Sequence, residues 1–290
     1  DLRKKIAEKA SKEEVNKIYD EMEKNCAMCF LMMNMDLKEE ICEMFLINEN
    51  EKFKENFIKS FSTCKISNIM TGDRIFVKPN FLDMFFKYLF PKIKKKFYLY
   101  TGASDYSIDY KYFKYLNNNK IIKWIGHNIE LNHKKVIKIP IGFSNKTSEN
   151  EKLLDDLYKL KKEYSNKKCK LLITYMEETN EKRKKIKRIF DDKKWVNFCN
   201  KCDFESYMKH INNYRFILCP RGNGIDTYRF WESIFMGSVP IVESSKLDDL
   251  YKKVNCIIVN KFEDLKEEDL KNYIKRSCGN NSLEFSYWMK

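Results

Sequence analysis

Arg221, Asp226, Arg229 and Glu232 crowd the middle of one short stretch, Arg215–Glu243, which reads RFILCPRGNGIDTYRFWESIFMGSVPIVE. Arg221 and Arg229 are fixed cations whose planar donor forks suit a diphosphate. Asp226 and Glu232 are carboxylates in an otherwise apolar helical setting, where charge is rare without a ligand or an ion-pair network. Arg229 and Glu232 stand three residues apart, so a helix would turn both to one side. Gly222 and Gly224 leave room for a ligand to approach the main chain. The competing reading is an internal network in which Arg229 pairs with Asp226 or with Glu232. The glycine spacing matches neither G-x-G-x-x-G nor a P-loop, so the glycines alone carry little weight.

The pattern around these residues is what would position them. Arg215–Cys219 is an apolar run ended by Pro220, as expected of a buried parallel strand. Asp226 or Thr227 can cap a helix that Gly237 closes, and Val239–Val242 forms the next strand. A helix N-terminus beside a glycine loop presents N–H donors and a positive dipole end, a setting for phosphate. Upstream, strands and helices alternate. Strands are expected at Arg74–Val77, Phe97–Thr101, Ile121–Ile125, Val136–Ile139, Cys169–Tyr175 and, later, Cys256–Val259. Helices are expected at Phe81–Ile93, interrupted near Pro91, and at Tyr110–Asn117, Glu151–Tyr164, Glu181–Phe190, Phe204–Ile211 and Leu265–Ser277. Residues 1–63 read as a helical arm, with a capping box at Ser11 and Glu14. The division that follows is 1–63, 64–165, 166–275 and a tail at 276–290.

The segment CPRGNGIDTYRFWESIFMGSVPIV resembles the C-terminal signature of exostosin-like glycosyltransferases (family 47) in their compact form. DRIFVKPNFLDMFFKYLFPKIKKKFYLYTGASDYSID, from Asp73, and KWIGHNIELNHKKVIKIPIGFSN, from Lys123, are similar to two further blocks of that family. The resemblance runs from Asp73 to Val259 and leaves the N-terminal arm and the tail unmatched. It implies a GT-B-like α/β fold, two Rossmann-like domains facing a cleft. It also implies sugar transfer from a nucleotide-sugar donor, UDP-linked in the first instance, to a hydroxyl of a glycan or glycoprotein acceptor. The family pattern places a donor-phosphate arginine near Arg183 and a ribose-binding carboxylate at Glu232. The expected donor-binding set is therefore Arg183, Arg221, Gly222, Asn223, Gly224, Asp226, Arg229 and Glu232.

Inverting transfer needs a general base for the acceptor and stabilisation of the departing diphosphate. Asp105, in the GASD turn after the strand FYLYT, is the preferred base, although Asp in such a turn often only bonds its own backbone. Asp109 could substitute for it. His127, in WIGHN, is the second candidate, with the structural role of a lone histidine as its alternative; Asn128 could orient an acceptor. No D-x-D stands at a strand end, so arginines and the helix dipole are expected to neutralise the diphosphate without an obligatory metal.

Composition bounds the remainder. The 290 residues allow two small domains or one large one. The charge of +14, from 56 basic and 42 acidic residues, raises nucleic-acid binding as a possibility. The lysines are, however, interleaved with acids along the chain, and no nucleic-acid motif accompanies them. A non-catalytic glycan- or polyanion-binding protein is the other alternative. The ten cysteines include C-x-x-C pairs at Cys26/Cys29 and Cys199/Cys202. Neither pair is completed by a histidine pair, so no metal site is expected. Cys169, Cys219 and Cys256 lie in apolar runs and read as buried small hydrophobes in a reducing, cytoplasmic setting. No stretch is long and apolar enough to span a membrane.

Overall fold

The computed structural model describes residues 69–102, 104, 106–143, 156–176 and 179–275. The arm at 1–63, residues 64–68, Asp105, the start of the 151–164 helix and the tail at 276–290 lie outside them. The described residues fall into two compact units, one reaching Lys138 and the other beginning at Ile139.

The first unit is a four-stranded parallel sheet of β1 (Asp73–Val77), β2 (Phe97–Thr101), β3 (Ile121–Gly126) and β4 (Val136–Lys138), in that order. The two inner strands, β2 and β3, end in fully buried residues, as parallel strands covered on both faces do. The helix expected over Phe81–Ile93 is broken into a 3-10 turn at Pro79–Phe81, an α turn at Leu82–Met84 and a π turn at Phe85–Leu89. It ends before Pro91, which has no N–H to continue it. The ammonium of Lys120 donates to the orphaned carbonyls of Phe90 and Pro91, at 3.0 and 3.2 Å. The wide π turn lets Phe85, Phe86 and Leu89 all face the core. There Phe86 stacks on Tyr115 with centroids 3.8 Å apart and meets Trp124 at 5.6 Å. Tyr110–Tyr112 and α1 (Phe113–Leu116) form the short helix expected there.

In the second unit five strands, all parallel, run in the order β6-β5-β7-β8-β9. They are β5 (Lys168–Ile173), β6 (Val196–Phe198), β7 (Tyr214–Leu218), β8 (Val239–Glu243) and β9 (Ile257–Val259). α2 (Glu181–Phe190) links β5 to β6, α3 (Phe204–Asn212) links β6 to β7 and α4 (Tyr228–Phe235) links β7 to β8. α5 (Asp248–Tyr251) and α6 (Glu267–Lys271) complete it. The long helix expected over Leu265–Ser277 is only α6, because Leu265 is extended and closes a 3-10 turn at Phe262–Asp264. The helix expected to reach Tyr164 covers 156–159 among the described residues and gives way to a 3-10 turn at Tyr164–Asn166. β6 and α5 were not anticipated, being too short for periodicity to register. Leu171, Ile173, Phe216, Leu218, Val239 and Ile241 form the sheet's share of the core. Of the three cysteines expected to be buried, only Cys219 is; Cys169 sits on the exposed first half of β5 and Cys256 is half-buried.

This strand order reverses once, between β5 and β7. Successive crossovers leave that point in opposite directions, and open α/β sheets bind ligands in the crevice so formed at the carboxyl ends of the strands. Among the described residues the first sheet shows no such reversal, since its strands follow chain order. The α/β, Rossmann-like class is therefore observed, and the second unit carries the topology that makes a ligand crevice.

Gly126, at the end of β3, has no substitute. A Cβ there would stand 2.3 Å from Thr101 Oγ1 and 2.4 Å from the Thr101 carbonyl oxygen, and the Thr101 hydroxyl already receives the buried Trp124 indole at 3.0 Å. Gly126→Ala is expected to cost upward of about 3 kcal/mol, the upper end of overpacking penalties, because the obstacle is backbone. A urea titration followed by tryptophan fluorescence should show the loss; an unchanged midpoint would refute this packing.

Candidate functional site

Two arginines cross the reversal point in opposite directions. Arg183 stands on α2, whose N-cap Asn180 accepts from Lys182 N. Its guanidinium reaches the loop after β7, where Nε donates to the Arg221 carbonyl at 2.9 Å and Nη2 to the Pro220 carbonyl at 3.3 Å. Arg229 stands on α4 and reaches the end of β5. Its Nε donates to Thr174 Oγ1 at 2.8 Å and its Nη2 to the Tyr175 carbonyl at 2.9 Å. The expected alternative, an ion pair of Arg229 with Asp226 or Glu232, is not what the structure shows. Arg229 is spent on a hydroxyl and a carbonyl, both neutral.

Two cations thus meet, and among the described residues Arg229 has no carboxylate bonded to it. Burial and the nearby charge of Arg229 pull Arg183 down to about 10. Arg221 joins them from the loop, its Nη2 donating to the Asn223 carbonyl at 3.1 Å. Arg221 Nε and Arg229 Nη1 are buried and have no acceptor among the described residues. A buried donor left unpaired costs about 1–3 kcal/mol, and more when it carries charge. An anion at this position would relieve both orphaned donors and the repulsion between the arginines.

The loop is shaped for this. Gly222 N donates to the Gly224 carbonyl at 3.0 Å, closing a tight turn. A Cβ on Gly222 would stand 3.0 Å from Arg183 Nη2, so the glycine is what lets that guanidinium lie along the loop. Gly222 and Gly224 are buried while Asn223 is exposed at the turn's tip. α2 and α3 are capped by the side chains of Asn180 and Asp203, but α4, which opens at this loop, has Thr227 at its N-cap without a side-chain cap bond. No acidic residue occupies its first turn, and the carboxylate nearest its head is Asp226, which accepts from the N-cap amide of Thr227 at 3.1 Å.

Glu232, one turn into α4, is 5% exposed. Its Oε2 accepts from the Tyr207 hydroxyl of α3 at 2.7 Å, and its Oε1 has no donor among the described residues. Burial pushes its carboxyl above the usual range, against the Tyr207 bond and the charge of Arg229. Tyr207 was not foreseen: only the packing of α3 against α4 brings it to Glu232.

Asp226 has a different place from the one expected. Its carboxylate faces inward, 2% exposed. Oδ2 accepts from Ile141 N at 2.7 Å, both oxygens accept from the Trp231 indole at 2.9 Å, and Oδ1 accepts from the Tyr251 hydroxyl at 3.2 Å and from Thr227 N at 3.1 Å. It is a bracket that fixes the head of α4 to Ile141 and Tyr251, with its oxygens used inside the unit. Burial raises it to about 6 despite these donors.

In the first unit His127 follows β3 and is 2% exposed, its Nε2 lying 2.7 Å from the Ser104 carbonyl. Asn128 adopts φ 54°, a left-handed conformation that Asn tolerates, and its carbonyl accepts from Ile108 N at 2.9 Å. Asp109 caps the 3-10 turn at Tyr110 by accepting from Lys111 N at 3.0 Å. Asp105 lies outside the described residues.

Asp226 generates a prediction with a definite sign. A carboxyl whose pKa is about 6 folded, against 3.8 ordinarily, holds its proton more tightly in the folded state. Its contribution to stability is complete below about 4 and is lost as the pH rises through about 6. Melting temperatures of wild type and Asp226→Asn, measured across that window, should show the decline in wild type alone. Asp226→Ala, which strands the Trp231, Tyr251 and Ile141 donors, should cost about 3–5 kcal/mol. A parallel pH profile for wild type and Asp226→Asn would refute the assignment.

Comparison with known proteins points the same way. The family model RXYLT1 C-terminal domain matches residues 160–269, from just ahead of β5 into α6. That stretch holds every residue of the expected donor set. The match supports a glycosyltransferase-like family for this chain and does not extend to the exostosin group that the sequence resembles. No curated protein matches the chain. No helix among the described residues is long and apolar enough to cross a membrane.

Proposed function

We propose that this protein is a GT-B-like glycosyltransferase that takes its sugar from a nucleotide-sugar donor, with UDP as the nucleotide. The observation that carries the reading is the pair of buried, unpartnered guanidinium N–H groups of Arg221 and Arg229 at the reversal point of a parallel sheet. A diphosphate fits that pair in charge and in acceptor geometry. Arg183 shares the charge. Glu232, with one oxygen fixed by Tyr207, accepts from the two vicinal hydroxyls of a ribose through the other. As the sugar leaves, negative charge grows on the diphosphate, and preorganised cations stabilise that charge more in the transition state than in the ground state. The acceptor hydroxyl loses its proton to a base for which His127 and Asp105 are the candidates. The glycan or glycoprotein acceptor gains the sugar, with inversion.

A panel of UDP-, GDP- and CMP-sugars, read by thermal shift and by released nucleotide, tests this. One UDP-sugar should stabilise the protein and be turned over without added Mg²⁺ or Mn²⁺. Arg221→Ala and Arg229→Ala should each weaken that response roughly 10- to 100-fold, the worth of one charge-assisted contact, with the fold intact by circular dichroism. Glu232→Gln should weaken nucleoside diphosphate binding and spare inorganic diphosphate. A folded protein that answers to no donor would refute the reading. His127→Gln separately tests the base: a kcat lower by about 10²–10⁴-fold with donor affinity unchanged supports it, and an unchanged kcat removes it.

A further inference from the structure

A second constellation sits at the edge of the same sheet, in front of α3. β6 ends at Phe198, and Cys199 N donates to the Ile173 carbonyl at 2.9 Å, tying the start of the next loop to β5. Three residues on, Cys202 immediately precedes Asp203, the N-cap of α3, whose carboxylate accepts from Ser206 N at 2.9 Å. His210 lies near the far end of that helix. The two thiol sulfurs and an imidazole nitrogen lie within 4.8 Å of one another, and both cysteines are free. The sequence pattern Cys-x-x-Cys followed by one histidine shows no familiar zinc spacing, and only the return of α3 past the loop brings His210 to the pair.

We propose that Cys199, Cys202 and His210 bind one zinc ion. Two soft sulfurs and one imidazole exclude the hard, oxygen-seeking Ca²⁺ and Mg²⁺ and suit zinc. Tetrahedral zinc holds sulfur at about 2.3 Å and nitrogen at about 2.0–2.1 Å, which puts ligand atoms roughly 3.5–3.8 Å apart. The separations, none above 4.8 Å, therefore close by at most about 1 Å, an adjustment that the exposed Cys202 and His210 can make. Binding releases the two thiol protons to solvent, and Cys199 gives up the thiol bond it now makes to the Asn200 carbonyl at 3.3 Å. The fourth position is left to water or another donor. The consequence is mechanical: the ion clamps the 199–202 loop to the end of α3, and α3 carries Tyr207, which fixes Glu232. A Cys199–Cys202 disulfide would use both sulfurs and give His210 no role, so the imidazole is what favours a metal over a redox pair.

The test uses the full chain with Cys26→Ser and Cys29→Ser, so that the other C-x-x-C pair contributes nothing. Zinc content after gel filtration should be one per chain. Cobalt(II) in its place should give thiolate-to-metal charge-transfer bands and the visible bands of a tetrahedral site. Cys199→Ser should diminish the charge-transfer bands, and His210→Ala should weaken cobalt affinity at least tenfold. His210→Cys should retain the metal and strengthen those bands, which guards against a variant that merely misfolds. The proposal fails if the folded parent retains no zinc, if His210→Ala binds cobalt as the parent does, or if Cys199 and Cys202 form a disulfide while zinc is present in excess.

Discussion

The second unit depends on two like charges being held beside each other where the sheet reverses. Arg183 belongs to the helix after β5 but bonds the loop after β7; Arg229 belongs to the helix after β7 but bonds the end of β5. Each therefore ties together the two strand ends that diverging crossovers would otherwise leave apart. The arrangement costs free energy, because burial and mutual repulsion both act against the charged forms. It persists because carbonyls and a hydroxyl take up most of the donors. The hydroxyl and the carbonyl that hold Arg229 supply no negative charge to offset it.

The surrounding residues make sense as devices for keeping this arrangement rigid. Asp226 gathers the Trp231 indole, the Tyr251 hydroxyl and two backbone amides, so α4 cannot swing and Arg229 keeps its aim. Phe230 stacks on Tyr251 with centroids 4.3 Å apart, bracing the same end. Gly237, at φ 74°, stops α4 and turns the chain into β8. Lys167, 3% exposed, donates to the carbonyl and the side-chain oxygen of Asn212 at 2.7 and 3.0 Å, securing the end of α3 where β7 begins. Burial lowers its ammonium to about 7. Asp226 and Lys167 are buried polar groups with partners far along the chain, Ile141 and Tyr251 for the one and Asn212 for the other. Such networks fix one arrangement where apolar packing alone would admit several.

That distance also explains what the sequence disclosed. Parallel strands announce themselves as apolar runs, and β2, β3, β5, β7 and β8 were all legible for that reason. The loop, the helix and the closing glycine around α4 followed from local chemistry at Gly222, Gly224 and Gly237. Partnerships were not legible. Asp226 has the composition of a ligand contact and the contacts of a bracket, because Ile141 and Tyr251 are remote in sequence. Tyr207 and His210 sit on α3, the one 25 residues from Glu232 and the other eight from Cys202, with nothing in the spacing to mark them. The Phe85–Leu89 turn defeated helical periodicity because a π turn shifts the register that periodicity assumes.

The net charge of +14 is a poor guide to what this chain recognises, and the reason is physical. Lys111, Lys159, Lys184 and Lys271 pair with exposed carboxylates at 2.6–3.3 Å, and such surface pairs are screened and contribute little. A polyanion meeting them would exchange one solvated partner for another. The three arginines at the reversal point differ in kind. They are held in place by backbone carbonyls, partly withdrawn from water, and short of acceptors at Arg221 Nε and Arg229 Nη1. Interactions there are stronger for being desolvated, and they cost no side-chain ordering when the anion arrives, since the ordering is done during folding. These few preorganised donors are thus set apart from the dispersed surface charge, and on the proposed reading they are what a diphosphate would meet.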